Sequence, residues 1–209
     1  MTRELVIFSD GQIVGPDRLW QDHDLFVRNG RIEAIRPSSK KRPAGAKVIS
    51  LCGSYLTPGL IDLHVHGGGG ADFMDGTPDA VRTACQTHLR HGTTTLFPTT
   101  TTASAPQLDA MLDACAQVQA EANAAQVSAG RVPAARIGGI HLYGPYFARD
   151  KVGCHLPNHQ RNPDPQEYRR YFNTGIVKIA TCAAELPGAT DFYRDARKRG
   201  CLVTCGHSN

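Results

Sequence analysis

The sequence predicts an α/β fold of parallel strands joined by helices, preceded by a small all-β segment. From about residue 56 onward, short apolar or β-branched runs alternate with amphipathic stretches of helical period. Before that point only short strand-like runs and turn signals occur. Unusual polar residues, histidines above all, also recur where the predicted strands end. The expected division is residues 1–55 for the β segment and 56–209 for the alternating part.

In the β segment, strands are expected over 5–8, 24–27, 32–35 and 48–51. Asn29-Gly30 lies between two apolar runs, a strong hairpin signal because both turn positions favour positive φ. The proline-containing, basic stretch 37–46 reads as a loop.

The second part begins with Leu-Thr-Pro-Gly-Leu-Ile-Asp-Leu-His-Val-His-Gly, residues 56–67. Pro58-Gly59 marks a turn and 60–66 a buried strand. Strand side chains alternate between faces, so His64 and His66 point one way and Leu63 and Val65 the other. Two neutral imidazoles fixed side by side suit a divalent metal; a hydrogen-bonded histidine pair near the surface is the alternative. Gly67 to Gly70 permits close backbone approach to a metal or substrate, or forms a flexible linker. It lacks the spacing of a dinucleotide loop.

Thr77-Pro78 fits a helix start, and that helix places His88 and His91 near its C-terminal end rather than at a site. A β-branched strand follows over 93–100. Ser104 to Gln107 then reads as a capping box for a long helix. Further strands are expected over 137–142, 177–183 and 202–206, with helices capped at Asp164 and spanning 190–199.

Such alternation begins both open doubly wound sheets and closed (β/α)8 barrels. Polar residues at the carboxyl ends of the first, third and fifth strands favour the barrel, whose sites collect there. Five βα units do not close eight strands, so a fragment, or a partner that supplies the rest, is implied.

Net charge is +4, and the basic residues cluster only at 40–42 and 197–199, too short a pattern for a nucleic-acid surface. No apolar run approaches membrane-spanning length. Seven cysteines without paired spacing argue against a stapled secreted fold, and cysteines such as Cys182 and Cys205 read as small hydrophobes. A reducing cytoplasm is the expected compartment.

The residues quoted above, with His-Gly-Thr-Thr (91–94), His-Leu-Tyr-Gly-Pro-Tyr-Phe (141–147), Lys-Val-Gly-Cys-His (151–155) and Gly-His-Ser-Asn (206–209), occur in one order. That ordered set resembles the amidohydrolase superfamily and, within it, the N-acetylglucosamine-6-phosphate deacetylases. The resemblance implies a metal-dependent (β/α)8 TIM barrel beside a small β-sandwich, usually a homodimer. It implies removal of the N-acetyl group from an amino-sugar phosphate as small-molecule substrate.

It also assigns His64, His66 and His207 to metal positions. His155 falls where a histidine polarises the amide carbonyl; from the residues alone, a solvated loop histidine is the alternative. Asp62 is a candidate partner behind the metal ligands. Tyr143 stands where the family has a glutamate ligand. A phenol with a pKa near ~10 is a poor bridge between two cations, so a single divalent ion, zinc or else iron or manganese, is expected per complete subunit. The family's sixth-strand histidine and its catalytic aspartate fall beyond Asn209. Two other functions stay open: a fragment or non-catalytic sugar-phosphate-binding module, and a cyclic-amide hydrolase.

Overall fold

The computed structural model describes residues 4–129 and 134–209. The chain divides into two units, Met1–Pro58 and Gly59–Asn209, slightly later than the expected boundary after residue 55.

The first unit holds β1 (Leu5–Ser9), β2 (Gln12–Val14), β3 (Leu19–Trp20), β4 (His23–Arg28), β5 (Arg31–Pro37), β6 (Lys47–Ser50) and β7 (Tyr55–Leu56). They form two sheets, ordered β5-β4-β1-β6 and β3-β2-β7. The predicted hairpin joins β4 to β5, with Asn29 and Gly30 at φ 52° and 74°. Leu5, Ile7, Ile13 and Leu25 are its buried apolar residues. Asp24 is buried and satisfied by Ser38 and Arg42, so one residue of the basic cluster at 40–42 has a structural task.

The second unit runs β8 (Leu60–Val65), the short hairpin β9 (Gly67–Gly68) and β10 (Ala71–Asp72), α1 (Pro78–Arg90), β11 (Thr93–Pro98), α2 (Ala105–Ala129), β12 (Arg136–Ile137), β13 (Ile140–Tyr143), α3 (Pro165–Asn173), β14 (Val177–Cys182), α4 (Ala189–Lys198) and β15 (Leu202–Cys205). Parallel pairing gives β8-β11-β12 and β13-β14-β15, and a bridge from Thr99 to His141 joins the two sheets. The predicted third strand is therefore split at Gly138-Gly139. Strand order follows chain order, without the reversal that marks the switch point of a doubly wound sheet.

Local chemistry explains the helix starts. Thr77 caps α1 by accepting the Ala80 amide, and Asp164 caps α3 by accepting the Gln166 amide; proline follows each cap. At α2 only half of the predicted box forms, because the Gln107 side chain accepts from both the amide and the hydroxyl of Ser104. The glycine run is not a flexible linker: Gly67 and Gly68 form β9 of the β9–β10 hairpin. A Cβ on Gly67 would stand 2.2 Å from the Ala71 carbonyl oxygen, and one on Gly69 would stand 2.3 Å from Thr87 on α1.

Two burial expectations are corrected. Strand β8 is not buried: Leu60, Ile61 and Leu63 are 50–64% exposed, because among the described residues β8 has a sheet neighbour on one side only. Cys205 is exposed as well, whereas Cys182 is buried and its thiol is pushed up to about 12 by desolvation.

The core gathers Phe73, Leu96, Leu108, Met111, Ile140 and Leu142 with a ring cluster of Tyr146, Tyr168, Phe172 and Phe192. Each such side chain contributes about 1.5–3 kcal/mol on burial. Beside this cluster, Glu167 accepts the hydroxyls of Tyr146 and Tyr171, both at 2.9 Å, and the Arg161 guanidinium at 2.6 Å. Through Glu167, Arg161 ties the loop after β13 to α3, and it also donates to the carbonyls of Ala103, just before α2, and His159.

Replacing Glu167 with alanine strands Arg161 and two phenols, and is expected to cost about 1.5–3 kcal/mol in denaturant unfolding. Burial opposes ionisation of Glu167, but Arg161 and the hydroxyls outweigh it and hold the carboxyl below its ordinary range. Its contribution is therefore complete above about pH 4.3 and is lost as the pH falls through the lowered value. Stability measured against pH should show this acid limb, and Glu167→Gln should flatten it.

Candidate metal centre and active site

Strand β8 delivers His64 and His66 to one face, and their Nε2 atoms stand 3.2 Å apart. Each is oriented from behind. The Nδ1–H of His66 donates to the Thr99 carbonyl, leaving an Nε2 lone pair directed at His64. The His64 amide donates to Asp62 at 3.0 Å, so Asp62 holds the strand backbone behind the pair. The His64 pKa is lowered by burial and by the neighbouring His66, which favours the neutral, ligating form.

The threonines ending β11 extend this support in both directions. Thr99 exchanges backbone and hydroxyl hydrogen bonds with Val65 on β8. The Thr100 hydroxyl is hydrogen bonded to both the amide and the carbonyl of Tyr143 on β13, at 2.8 and 3.1 Å. Both threonines are fully buried.

Tyr143 lies at the centre of the site. Its ring centroid is 4.5 Å from that of His64, 5.1 Å from His207 and 5.7 Å from His155. Desolvation raises its pKa, so the phenol stays protonated at neutral pH. His155 is 9% exposed and packs against Phe147 and His207, so it is not a solvated loop histidine. Burial first, then His207, His66 and His64, lower its pKa to about 4. His207 stacks on Phe147 at 4.1 Å and donates through Nδ1–H to the Lys151 carbonyl, which leaves its Nε2 available. Its backbone is left-handed, at φ 52°, and Glu185 holds the turn by accepting from Ser208 and Asn209.

The fold thus brings together His64, His66, Tyr143, His155 and His207. His88 instead donates to the Gly67 carbonyl, and His91 ends α1, both apart from the site as expected. Thr99, Thr100 and His141 belong to the assembly without having been singled out by sequence. The run of threonines ending the strand expected over 93–100 was the available signal for the first two.

The site matches what a single cation needs on one side only. His64 and His66 offer converging, correctly oriented nitrogens. Among the described residues, however, no group of three His, Cys, Asp or Glu side chains is placed to hold a metal. At the end of β13 the side chain facing the histidine pair is Tyr143, a protonated phenol and not a carboxylate.

The model of the amidohydrolase family matches residues 55–201. The chain belongs to the amidohydrolase family. That family generally depends on divalent metals. An N-acetylglucosamine-6-phosphate deacetylase of Caenorhabditis elegans is 32% identical over all of this amidohydrolase chain and 50% of its own length. An N-acetylgalactosamine-6-phosphate deacetylase of Escherichia coli O157:H7 is 31% identical over 90% of this chain and 46% of its own. The crystal structure of N-acetylglucosamine-6-phosphate deacetylase from Pasteurella multocida superposes with a TM-score of 0.84 at 26% identity, covering 98% of this chain and 51% of that one. The chain spans about half the length of the curated relatives it matches.

The lowered values of His141 and His155 carry a pH signature, since both are near 4 against ~6.5 for histidine in an unfolded chain. Stability of the metal-free protein should be complete above about pH 6.5 and decline as the pH falls toward 4, where the unfolded state binds the extra protons. Ring-proton NMR titration should place both folded-state midpoints well below 6.5.

Proposed function

We propose that these residues form the metal-binding half of a deacetylase that removes the N-acetyl group from an amino-sugar phosphate such as N-acetylglucosamine 6-phosphate. The observation that carries this reading is the convergence of His64 and His66 on a mouth shared with Tyr143, His155 and His207. The two relatives act on amino-sugar phosphates of this class, and the sequential parallel strands suit one wall of a (β/α)8 barrel.

His64 and His66 would hold the divalent ion, which when bound supplies Lewis acidity toward the amide carbonyl and the attacking water. His155, neutral at pH 7, can donate an N–H to the carbonyl oxygen as negative charge develops. The protonated Tyr143 hydroxyl can donate to the same oxygen. His207 is a weaker ligand or a partner for the water. Asp62 is committed to the His64 amide, so we assign the base that takes the water's proton to the part of the family fold that these residues do not span. A homodimer in the cytoplasm fits this reading.

One observation gives a second reading its ground. Without three converging ligands among the described residues, a non-catalytic sugar-phosphate-binding module is the alternative. Assay of the intact natural polypeptide separates the two: acetate release from N-acetylglucosamine 6-phosphate, with no ring opening of cyclic amides, supports the deacetylase. Sugar-phosphate binding without turnover supports the module.

The His64→Ala/His66→Ala double variant should lose bound metal while keeping its fold, and unchanged metal content by elemental analysis would sink the assignment. Replacing His88 should leave metal content unaltered. Tyr143→Glu should raise the content from about one ion toward about two, because a carboxylate can bridge cations that a neutral phenol cannot. Two tightly held ions in the Tyr143 form would refute the single-ion reading.

A further inference from the structure

The interior of the second unit holds a histidine that the proposed chemistry leaves without a task. His141, on β13, is 6% exposed. Its Nδ1 lies 3.1 Å from the Leu63 carbonyl oxygen on β8, and its Nε2 lies 2.7 Å from Thr181 Oγ1 on β14. Thr181 Oγ1 is in turn hydrogen bonded to Thr204 Oγ1 on β15. A carbonyl oxygen only accepts, so Nδ1 carries the proton. In the neutral ring Nε2 must then accept from the Thr181 hydroxyl, and Thr181 must accept from Thr204. The direction of every proton in this chain follows from one fixed acceptor.

The point of arrival matters. Strands β8 and β13 are not neighbours, since β11 lies between them, and the β8–β11 register shifts between Leu96 and Pro98, alongside Leu63 and His64. There His141 takes the carbonyl of the Leu63–His64 peptide while Asp62 takes its N–H. Both polar ends of the peptide that aims His64 are therefore held by side chains. The His141 ring also meets the His64 ring edge-on, at 5.1 Å.

We propose that His141, oriented by Thr181 and Thr204, is a positioning residue that fixes the direction of His64. The proposal rests on the reading of His64 and His66 as metal ligands. Partners of this kind, one step behind the ligands, typically contribute 10–100-fold to metal affinity. Phenylalanine at 141 keeps the bulk and loses the donor. Asparagine keeps an N–H near the place of Nδ1–H.

The test uses the intact natural polypeptide and zinc, with affinity read by chelator competition and the His141 tautomer by 15N NMR of the metal-free protein. His141→Phe is expected to fold cooperatively and bind zinc about 10–100-fold more weakly, with most of the loss recovered in His141→Asn. The wild-type ring should be protonated at Nδ1, and Thr181→Val, which removes the donor to Nε2 and loosens the ring, should weaken zinc binding by a smaller factor. Wild-type affinity in His141→Phe, or an Nε2-protonated wild-type ring, overturns the proposal. Should His141→Phe fail to fold, undiminished affinity in Thr181→Val overturns it instead. Zinc retained by the His64→Ala/His66→Ala variant removes the metal reading and this proposal together. Zinc lost there but bound normally by His141→Phe removes this proposal alone.

Discussion

The hydrogen bond from His141 to the Leu63 carbonyl joins two strands that do not pair, and much of the second unit is arranged to permit it. A histidine inside a sheet must satisfy both ring nitrogens or incur the cost of an unpaired buried polar group, roughly 1–3 kcal/mol. Thr181 and Thr204 meet that demand from β14 and β15, and the backbone of β8 meets it on the other side. Among the described residues no buried side-chain nitrogen or oxygen lacks a partner. The same economy recurs at the end of β11, where Thr99 serves the His66 strand and Thr100 serves Tyr143.

Rigidity behind the site contrasts with exposure around it. Strand β8 carries the histidine pair yet leaves Leu60, Ile61 and Leu63 largely in solvent. Side-chain hydrogen bonds from Asp62, Thr99 and His141 therefore do more of the orienting than burial does. Neutral imidazoles suit this environment: desolvation and mutual repulsion keep His64, His141 and His155 uncharged, the form in which imidazole binds a cation or donates a single N–H. Tyr143 is compatible with such a cluster because it adds bulk and a hydroxyl without a charge.

The sequence by itself determined what local periodicity and turn chemistry control. The alternation in Leu-His-Val-His set His64 and His66 on one face, Asn29-Gly30 fixed the β4–β5 hairpin, and Thr77-Pro78 and Asp164-Pro165 marked two helix starts. Ordered motifs pointed to the family and to the residues gathered at the strand ends. Tertiary structure alone decided which groups hold those residues. The partners of His141 lie 78, 40 and, through Thr181, 63 positions away in the chain, and no local signal encodes such distances. It also decided that β8 is exposed, that the third strand breaks at Gly138-Gly139, that Gly68 and Gly69 pack against α1, and that His155 is buried. Burial and proton direction depend on neighbours brought in by the fold, whereas periodicity depends only on the backbone's own repeat.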